Sequence, residues 1–408
     1  MDRTLEEIDI YDPARYGEGV PHEDFAHLRR ESPVHRQAMP DGTWYWALLK
    51  HADVVEVSRR PMLFSAERGG VVLEDMPAEQ LEQTKNMLLM MDPPRHTTLR
   101  GKVYPQFRPR QIGRLEERIR EICRRILAIG AERGEVEFVH DIAALLPSEV
   151  FGEMMGIPPA DRPQINHWAE LMTGGQDPEV NPDGYASGAN EGSVEMAIYG
   201  AQFAAERRGR ELDDDADLGA LLLATEIDGR PMDDLEFAYF FVQLVTAGND
   251  TTRTMLSSGL LALIEHPDEL ARLRADRALI PTAVEEILRF ANPLHYFRRT
   301  VAEDTEIRGQ AIAAGDKLAM IYTSANRDED AFADPERFDV GRSPNPHLAF
   351  GIGEHFCLGV HLARLEGRVF LEELLDAYAE FGLAGPPRRQ QSNLNNALKS
   401  LPVRITPA

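Results

Sequence analysis

Cysteine is nearly absent from this 408-residue chain, with only Cys123 and Cys357 present. Two thiols build neither a disulfide framework nor an iron–sulfur ligand set, and such sparse usage fits a reducing compartment. Positive charge is short too: 44 Lys and Arg stand against 68 Asp and Glu, for a formal net charge of −24. That balance argues against nucleic acid or an anionic membrane as the main partner. No apolar run is long enough to span a bilayer, because 237–247 and 255–264 are separated by Asn249, Asp250, Thr251, Thr252 and Arg253. Residues 1–16 are acidic and lack the apolar core of a secretion signal, so a cytoplasmic protein without a membrane anchor is expected. A Gly-x-Gly-x-x-Gly fingerprint and a flavin-binding segment are missing, which excludes a built-in dinucleotide site of that kind.

What remains is the composition of an ordinary folded protein, 43% apolar and 27% charged, with ample material for a large core. Helical spacing covers 109–129, 161–172, 191–208, 233–265, 280–289 and 357–378. Strand signals lie near both ends of the chain. They are residues 43–49, then three short runs at 306–308, 311–313 and 317–322, parted by Gly309-Gln310 and Gly315-Asp316 turns. Residues 173–192, rich in Gly, Asp, Pro and Asn, read as a mobile loop. The pattern predicts an α+β, mainly α fold in a single domain over 1–408, with small sheets shared by strands from both ends. Asp233 and Glu236 have the spacing of a capping box at the head of the longest segment, ~50 Å if helical throughout.

Two stretches carry chemistry. The first is His347-Leu-Ala-Phe350-Gly351-Ile-Gly353-Glu-His355-Phe-Cys357-Leu-Gly359, immediately before an amphipathic run with Leu358, Leu362, Leu365, Val369 and Leu371 at helical spacing. A thiolate at a helix N-terminus is favoured by the dipole and free N–H groups, and Gly351 and Gly353 leave room for a flat cofactor against the backbone. A haem-thiolate ligand needs such an arrangement. A lone cysteine is by default a packed thiol, which is the reading given to Cys123. The second stretch is Ala247-Gly248-Asn249-Asp250-Thr251-Thr252, mostly poor helix formers in mid-helix. Small residues there admit a planar group to the backbone. A threonine bonding back one turn opens a groove, and a carboxylate beside it offers a proton route. Without the first stretch, a kink without chemistry would serve equally well.

Taken together, these stretches resemble the haem-binding loop and the oxygen-activation motif of the cytochrome P-450 superfamily. The resemblance covers nearly the whole chain and implies that fold, with a long central helix and haem b as cofactor. It implies Cys357 as the iron ligand, with Phe350, Gly351, Ala247 and Gly248 against the haem. Thr251 would support oxygen activation by a hydrogen bond, and Asp250 would relay protons. In Met91-Asp92-Pro93-Pro94-Arg95-His96, followed by Arg100, the resemblance assigns His96 and Arg100 to the haem propionates. His355 and Arg299 complete that set, with Arg298 a rival for Arg299. Glu286 and Arg289, within reach at i, i+3, correspond to a scaffold pair locked by a further arginine, Arg337 first and Arg342 second. Apolar substrate walls are expected from Met87, Leu88, Leu294, Phe297 and Leu394.

The implied activity is insertion of one oxygen atom from O2 into a C–H bond of a hydrophobic small molecule. The chain is most like bacterial members acting on terpenoids, steroid side chains or alkyl-aromatic hydrocarbons. Electrons would come from a separate ferredoxin and its NAD(P)H-dependent reductase. Arg108, Arg110, Arg114, Arg364 and Arg368 are the candidate docking charges, unless they merely solubilise their helices. Two rival readings keep the haem-thiolate but change the outcome: a peroxide isomerase or dehydratase, and a non-catalytic haem sensor.

Overall fold

The computed structural model describes residues 4–209, 216–227 and 229–408. Its strands used below are β1 (Val34–Ala38), β2 (Trp44–Leu48), β3 (Phe64–Ser65), β4 (Glu135–Glu137), β5 (Tyr296–Val301), β6 (Lys317–Ile321), β7 (Tyr378–Leu383) and β8 (Pro402–Pro407). The main sheet runs β1-β2-β6-β5-β3. Its centre is a parallel pair, β2 beside β6 with Ala47 opposite Ala319, so strands from both ends of the chain share one sheet as expected. A second sheet repeats the device: β8 lies between β7 and β4, pairing Ile405 with Phe381 and Val403 with Val136. Every residue of β6 is buried: Leu318–Ile321 form an apolar run, and Lys317 is paired with Asp75 at 2.8 Å.

Helices fill the rest. They include α1 (Arg95–Val103), α2 (Glu116–Arg133), α3 (Arg162–Thr173), α4 (Tyr185–Arg207), α5 (Asp234–Glu265), α6 (Ile280–Phe290) and α7 (Val360–Ala377). The 32 residues of α5 extend ~48 Å. Its start is the expected capping box: Asp233 accepts from the Glu236 N–H at 2.9 Å, and Glu236 accepts from the Asp233 N–H at 3.0 Å. His266 closes it ahead of Pro267. The two halves of α5 serve different cores. Phe237–Val245 packs with α3 and α4 in a cluster that includes Phe203 and Phe241, whereas Met255–Leu263 packs with α2, α6 and α7 around Ile126, Ile287 and Val369. The polar 249–252 stretch falls at the junction. Among the described residues no helix is long and apolar enough to cross a membrane.

Three sequence expectations are corrected. The continuous helix over 109–129 is interrupted, because Gly113–Leu115 tightens into a 3-10 turn between the short helix Pro109–Ile112 and α2. The loop expected over 173–192 ends at Gly184, where α4 begins, so its second half is helical. Glycines read as breakers are close-packing points instead: a Cβ on Gly192 would lie 2.5 Å from the Trp168 carbonyl oxygen on α3. The first half is tied down by Asp177, wholly buried. Its carboxylate accepts from the Gln391 N–H at 3.0 Å and Lys399 Nζ at 2.9 Å. Finally, α7 starts at Val360 rather than Cys357, leaving the cysteine in the preceding turn.

Candidate active site

The cysteine turn is built by its glycines. Gly351 (φ +65°) and Gly353 (φ +78°) occupy left-handed conformations that side chains disfavour, and a Cβ on Gly353 would strike the Ser58 carbonyl oxygen. The Cys357 N–H donates to Phe350 O at 2.9 Å, closing the loop. Burial raises the pKa of the Cys357 thiol, opposed by the Gly359 N–H and by the charges of Arg100 and Arg364. The other cysteine, Cys123, is sealed in the core and its thiol is also pushed up by burial.

Beside this turn α1 delivers His96, whose ring centroid lies 4.2 Å from that of His355. His96 Nδ1 and His355 Nε2 are both buried with no hydrogen-bond partner. Burial, then the charge of Arg100, moves His96 down to about 4; burial, then Arg299, drives His355 lower still. His355 is also hydrogen-bonded to the Met91 backbone, so a carboxylate brought against its free Nε2 would be met by a ring that takes up a proton there. Arg100 donates to Phe356 O and Arg299 to Arg298 O, and neither joins an ion pair among the described residues. Arg299 is nonetheless only 5% exposed, a position that a lone guanidinium rarely holds. Arg298, its rival, is engaged with Asp75 at 2.8 Å and with the Leu73 carbonyl. Two unpaired cations and two unsatisfied ring nitrogens make a site for carboxylates. The two propionates of a haem fit it.

Midway along α5, which stays helical throughout, the Thr251 hydroxyl donates to Ala247 O, one turn back, at 2.6 Å. A Cβ on Gly248 would make an ordinary contact with the Phe151 ring at 3.6 Å. Asp250 is buried, with Oδ1 3.1 Å from Arg253 and Oδ2 unpartnered. Burial lifts its pKa to about 6, Arg253 opposing and Glu170 assisting. Such a carboxyl exchanges protons readily near neutral pH.

Sequence reasoning missed Glu366 on α7, which hydrogen-bonds Thr252 and is 2% exposed. Burial raises it to about 8, keeping it neutral at pH 7. A signal was present: position 366 falls on the apolar face defined by Leu362 and Val369.

Beneath the site, Glu286 and Arg289 on α6 form two hydrogen bonds of 2.8 Å, both side chains fully buried. The arginine that completes this lock is Arg342, not Arg337. Arg342 Nε lies 3.1 Å from both Glu286 oxygens, while the Arg337 side chain is 60% exposed and sits 3.7 Å from Glu269. Arg337 contributes its backbone instead, its carbonyl accepting from Arg289 and Arg342. Spacing alone does not decide between two arginines in one irregular segment.

Of the expected substrate walls, Met87 and Phe297 both pack against Ala66, Val71 and Met90. Leu294 is bridged to Asn395, next to Leu394. Leu88, 3% exposed, is packed in the cluster of α3, α4 and the first half of α5. On the cysteine side, a groove of about 300 Å3 is lined by Ile112, Glu116, Glu285, Arg364 and Arg368. Arg364 is held by both oxygens of Glu285 (2.7 and 2.8 Å), and Arg368 pairs with Glu116 and Glu372. Arg108, Arg110 and Arg114 stand exposed beside it.

The family model for cytochrome P450 matches residues 199–394. The chain is 38% identical over 410 residues to a steroid C26-monooxygenase of Rhodococcus jostii (strain RHA1), covering 98% of this chain and 84% of that one. It is 39% identical over 391 residues to a methyl-branched lipid omega-hydroxylase of Mycobacterium tuberculosis (strain H37Rv), covering 93% and 90%. Among solved structures, a Mycobacterium marinum cytochrome P450 in complex with pseudoionone superposes with a TM-score of 0.91 at 40% identity, covering 98% and 99% of the two chains. The fold and site are thus those of a haem-dependent oxidoreductase. The chain belongs to the cytochrome P450 family. It is a P450 monooxygenase with haem b as cofactor.

Proposed function

We propose that the protein hydroxylates a hydrophobic molecule bearing a branched aliphatic chain, near the end of that chain, with electrons from a ferredoxin and its NAD(P)H-dependent reductase. Support for the substrate class comes from the two enzymes it resembles, a steroid C26-monooxygenase and a methyl-branched lipid omega-hydroxylase. The observation that carries the chemistry is the set of His96, His355, Arg100 and Arg299 beside Cys357, with His96 and Arg299 buried and no carboxylate partner among the described residues.

In this reading the four side chains would hold the haem propionates, and Cys357 would supply a thiolate to the iron. The group so held supplies reductive O2 activation, the thiolate favouring O–O cleavage. Thr251 stays bonded to Ala247 O, one turn back on α5; Asp250 stores a proton on Oδ2, and Arg253 fixes its other oxygen. Apolar walls exclude water that would divert protons to peroxide formation. The whole of 1–408 acts as one catalytic domain.

The test is to titrate the purified holoenzyme with steroids, methyl-branched fatty acids and alkyl-aromatics. A low-to-high-spin shift with the first two, and terminal hydroxylation dependent on ferredoxin, reductase and O2, is expected; turnover with peroxides alone would refute it. Thr251→Ala should retain haem and substrate binding but release most of its reducing equivalents as peroxide. Full coupling in that variant contradicts the role given to Thr251.

A further inference from the structure

We propose that a pocket between α1, the first turns of α5 and the segment around Ile227 is a second binding site, separate from the haem cavity. Its ligand is a fatty carboxylate, the head held by Arg95 and the chain laid on an apolar floor.

The pocket measures about 300 Å3. Buried Met91, Leu99, Met232 and Phe240 supply its floor, and half-buried Ile227 one wall. Arg95, Thr98 and Glu236 stand at its mouth with Asn86. Of the described residues that line it, none belongs to the expected substrate walls or haem contacts. A cavity of this size and lining buries an aliphatic group, and its few polar side chains select the ligand.

Those polar groups favour one negative charge. Arg95 is exposed and forms no ion pair among the described residues. Its guanidinium is pinned instead by two neutral acceptors, the Lys85 carbonyl at 3.0 Å and Asn86 Oδ1 at 2.9 Å. They orient the planar fork and leave its charge uncancelled, ready for a carboxylate. Glu236 does not oppose this. Arg230 holds its two oxygens at 2.7 and 2.8 Å, and the Asp233 N–H donates to it as well. The Thr98 hydroxyl is committed to Pro94 O at 3.0 Å. An uncancelled cation over an apolar floor matches a fatty carboxylate and mismatches a cationic ligand.

An occupant would act on the haem side without entering it. Residues 86–95 close one side of the pocket, and within them the main chain of Met91 is hydrogen-bonded to His355. The helix that gives Leu99 to the floor also carries His96 and Arg100. Burying a chain against Met91 and Leu99 should therefore steady both segments.

The test titrates decanoate calorimetrically into ferric holoenzyme whose haem cavity is already filled by phenylimidazole. One decanoate per chain should bind while the azole spectrum stays unchanged. Arg95→Gln should weaken decanoate about tenfold and leave decanol, which lacks the charge, at wild-type affinity. Ile227→Trp, filling the pocket, should abolish binding of both. Should that variant fail to fold, Thr98→Trp at the exposed mouth carries the same expectation. Amide hydrogen exchange over 86–99 should slow when decanoate binds. No binding to the azole-filled enzyme overturns the proposal, as does binding that Arg95→Gln and the pocket-filling variant leave intact. Protection confined to the middle of α5 overturns it too. None of these readouts involves turnover, so such a failure leaves the proposed hydroxylation standing.

Discussion

At the residue scale, the site depends on a few polar groups whose ionisation is set by burial. Glu366 is the clearest case. Its unfolded carboxyl ionises near 4.5, whereas the folded one holds its proton until about 8. The native state therefore binds the extra proton across that interval, and stability falls as pH rises through it. Glu366→Gln keeps a neutral hydrogen-bonding partner for Thr252 and removes the penalty. Between pH 5 and 8 the wild type should lose up to about 4 kcal/mol more than the variant, measured by denaturant titration at each pH. Cys357→Ser removes the only thiol in the glycine turn. The ferrous–carbon monoxide complex should lose its thiolate-type absorption band, and an unchanged spectrum would exclude Cys357 as ligand.

At the scale of elements, the buried ion network shows what spacing conveys and what it leaves open. The i, i+3 pair Glu286–Arg289 is readable on α6 because both residues lie on one helical face. Its third member was misplaced, since Arg337 and Arg342 sit in an irregular segment without periodicity. Arg342→Ala should cost about 3 kcal/mol, because Glu286 loses a buried cation. Arg337→Ala should cost under about 0.5 kcal/mol, its exposed side chain lying 3.7 Å from Glu269. Chemical denaturation midpoints compare the two directly. The start of α4 teaches a related lesson. Gly188 and Gly192 are poor helix formers, and only the nearness of Asn181 to the first and of α3 to the second shows that their small size matters more.

At the scale of the whole molecule, an acidic protein places a small basic area beside the cysteine-side groove. Arg364 and Arg368 are neutralised by Glu285, Glu116 and Glu372, leaving Arg108, Arg110 and Arg114 to face solvent beside the groove. Arg110→Glu combined with Arg114→Glu should slow reduction by an acidic ferredoxin about tenfold at low salt and converge with wild type at high salt, as screening removes the steering. Stopped-flow reduction at several ionic strengths reads this out. Rates and salt dependence equal to wild type would assign these arginines to solubility alone.

The local pattern by itself determined the cysteine turn, the capped long helix α5, the paired glutamate and arginine of α6, and the alternation of helices with terminal strands. Each of these is written in short-range spacing, periodicity or turn chemistry. Tertiary structure alone decided that Arg299 is the unpaired cation and Arg298 the paired one. It also decided that Arg342 completes the lock on Glu286 and that Glu366 meets Thr252. Those outcomes depend on which distant segment arrives opposite a side chain and whether it brings a counter-charge, a hydrogen bond or empty space. Spacing along one segment carries none of that information.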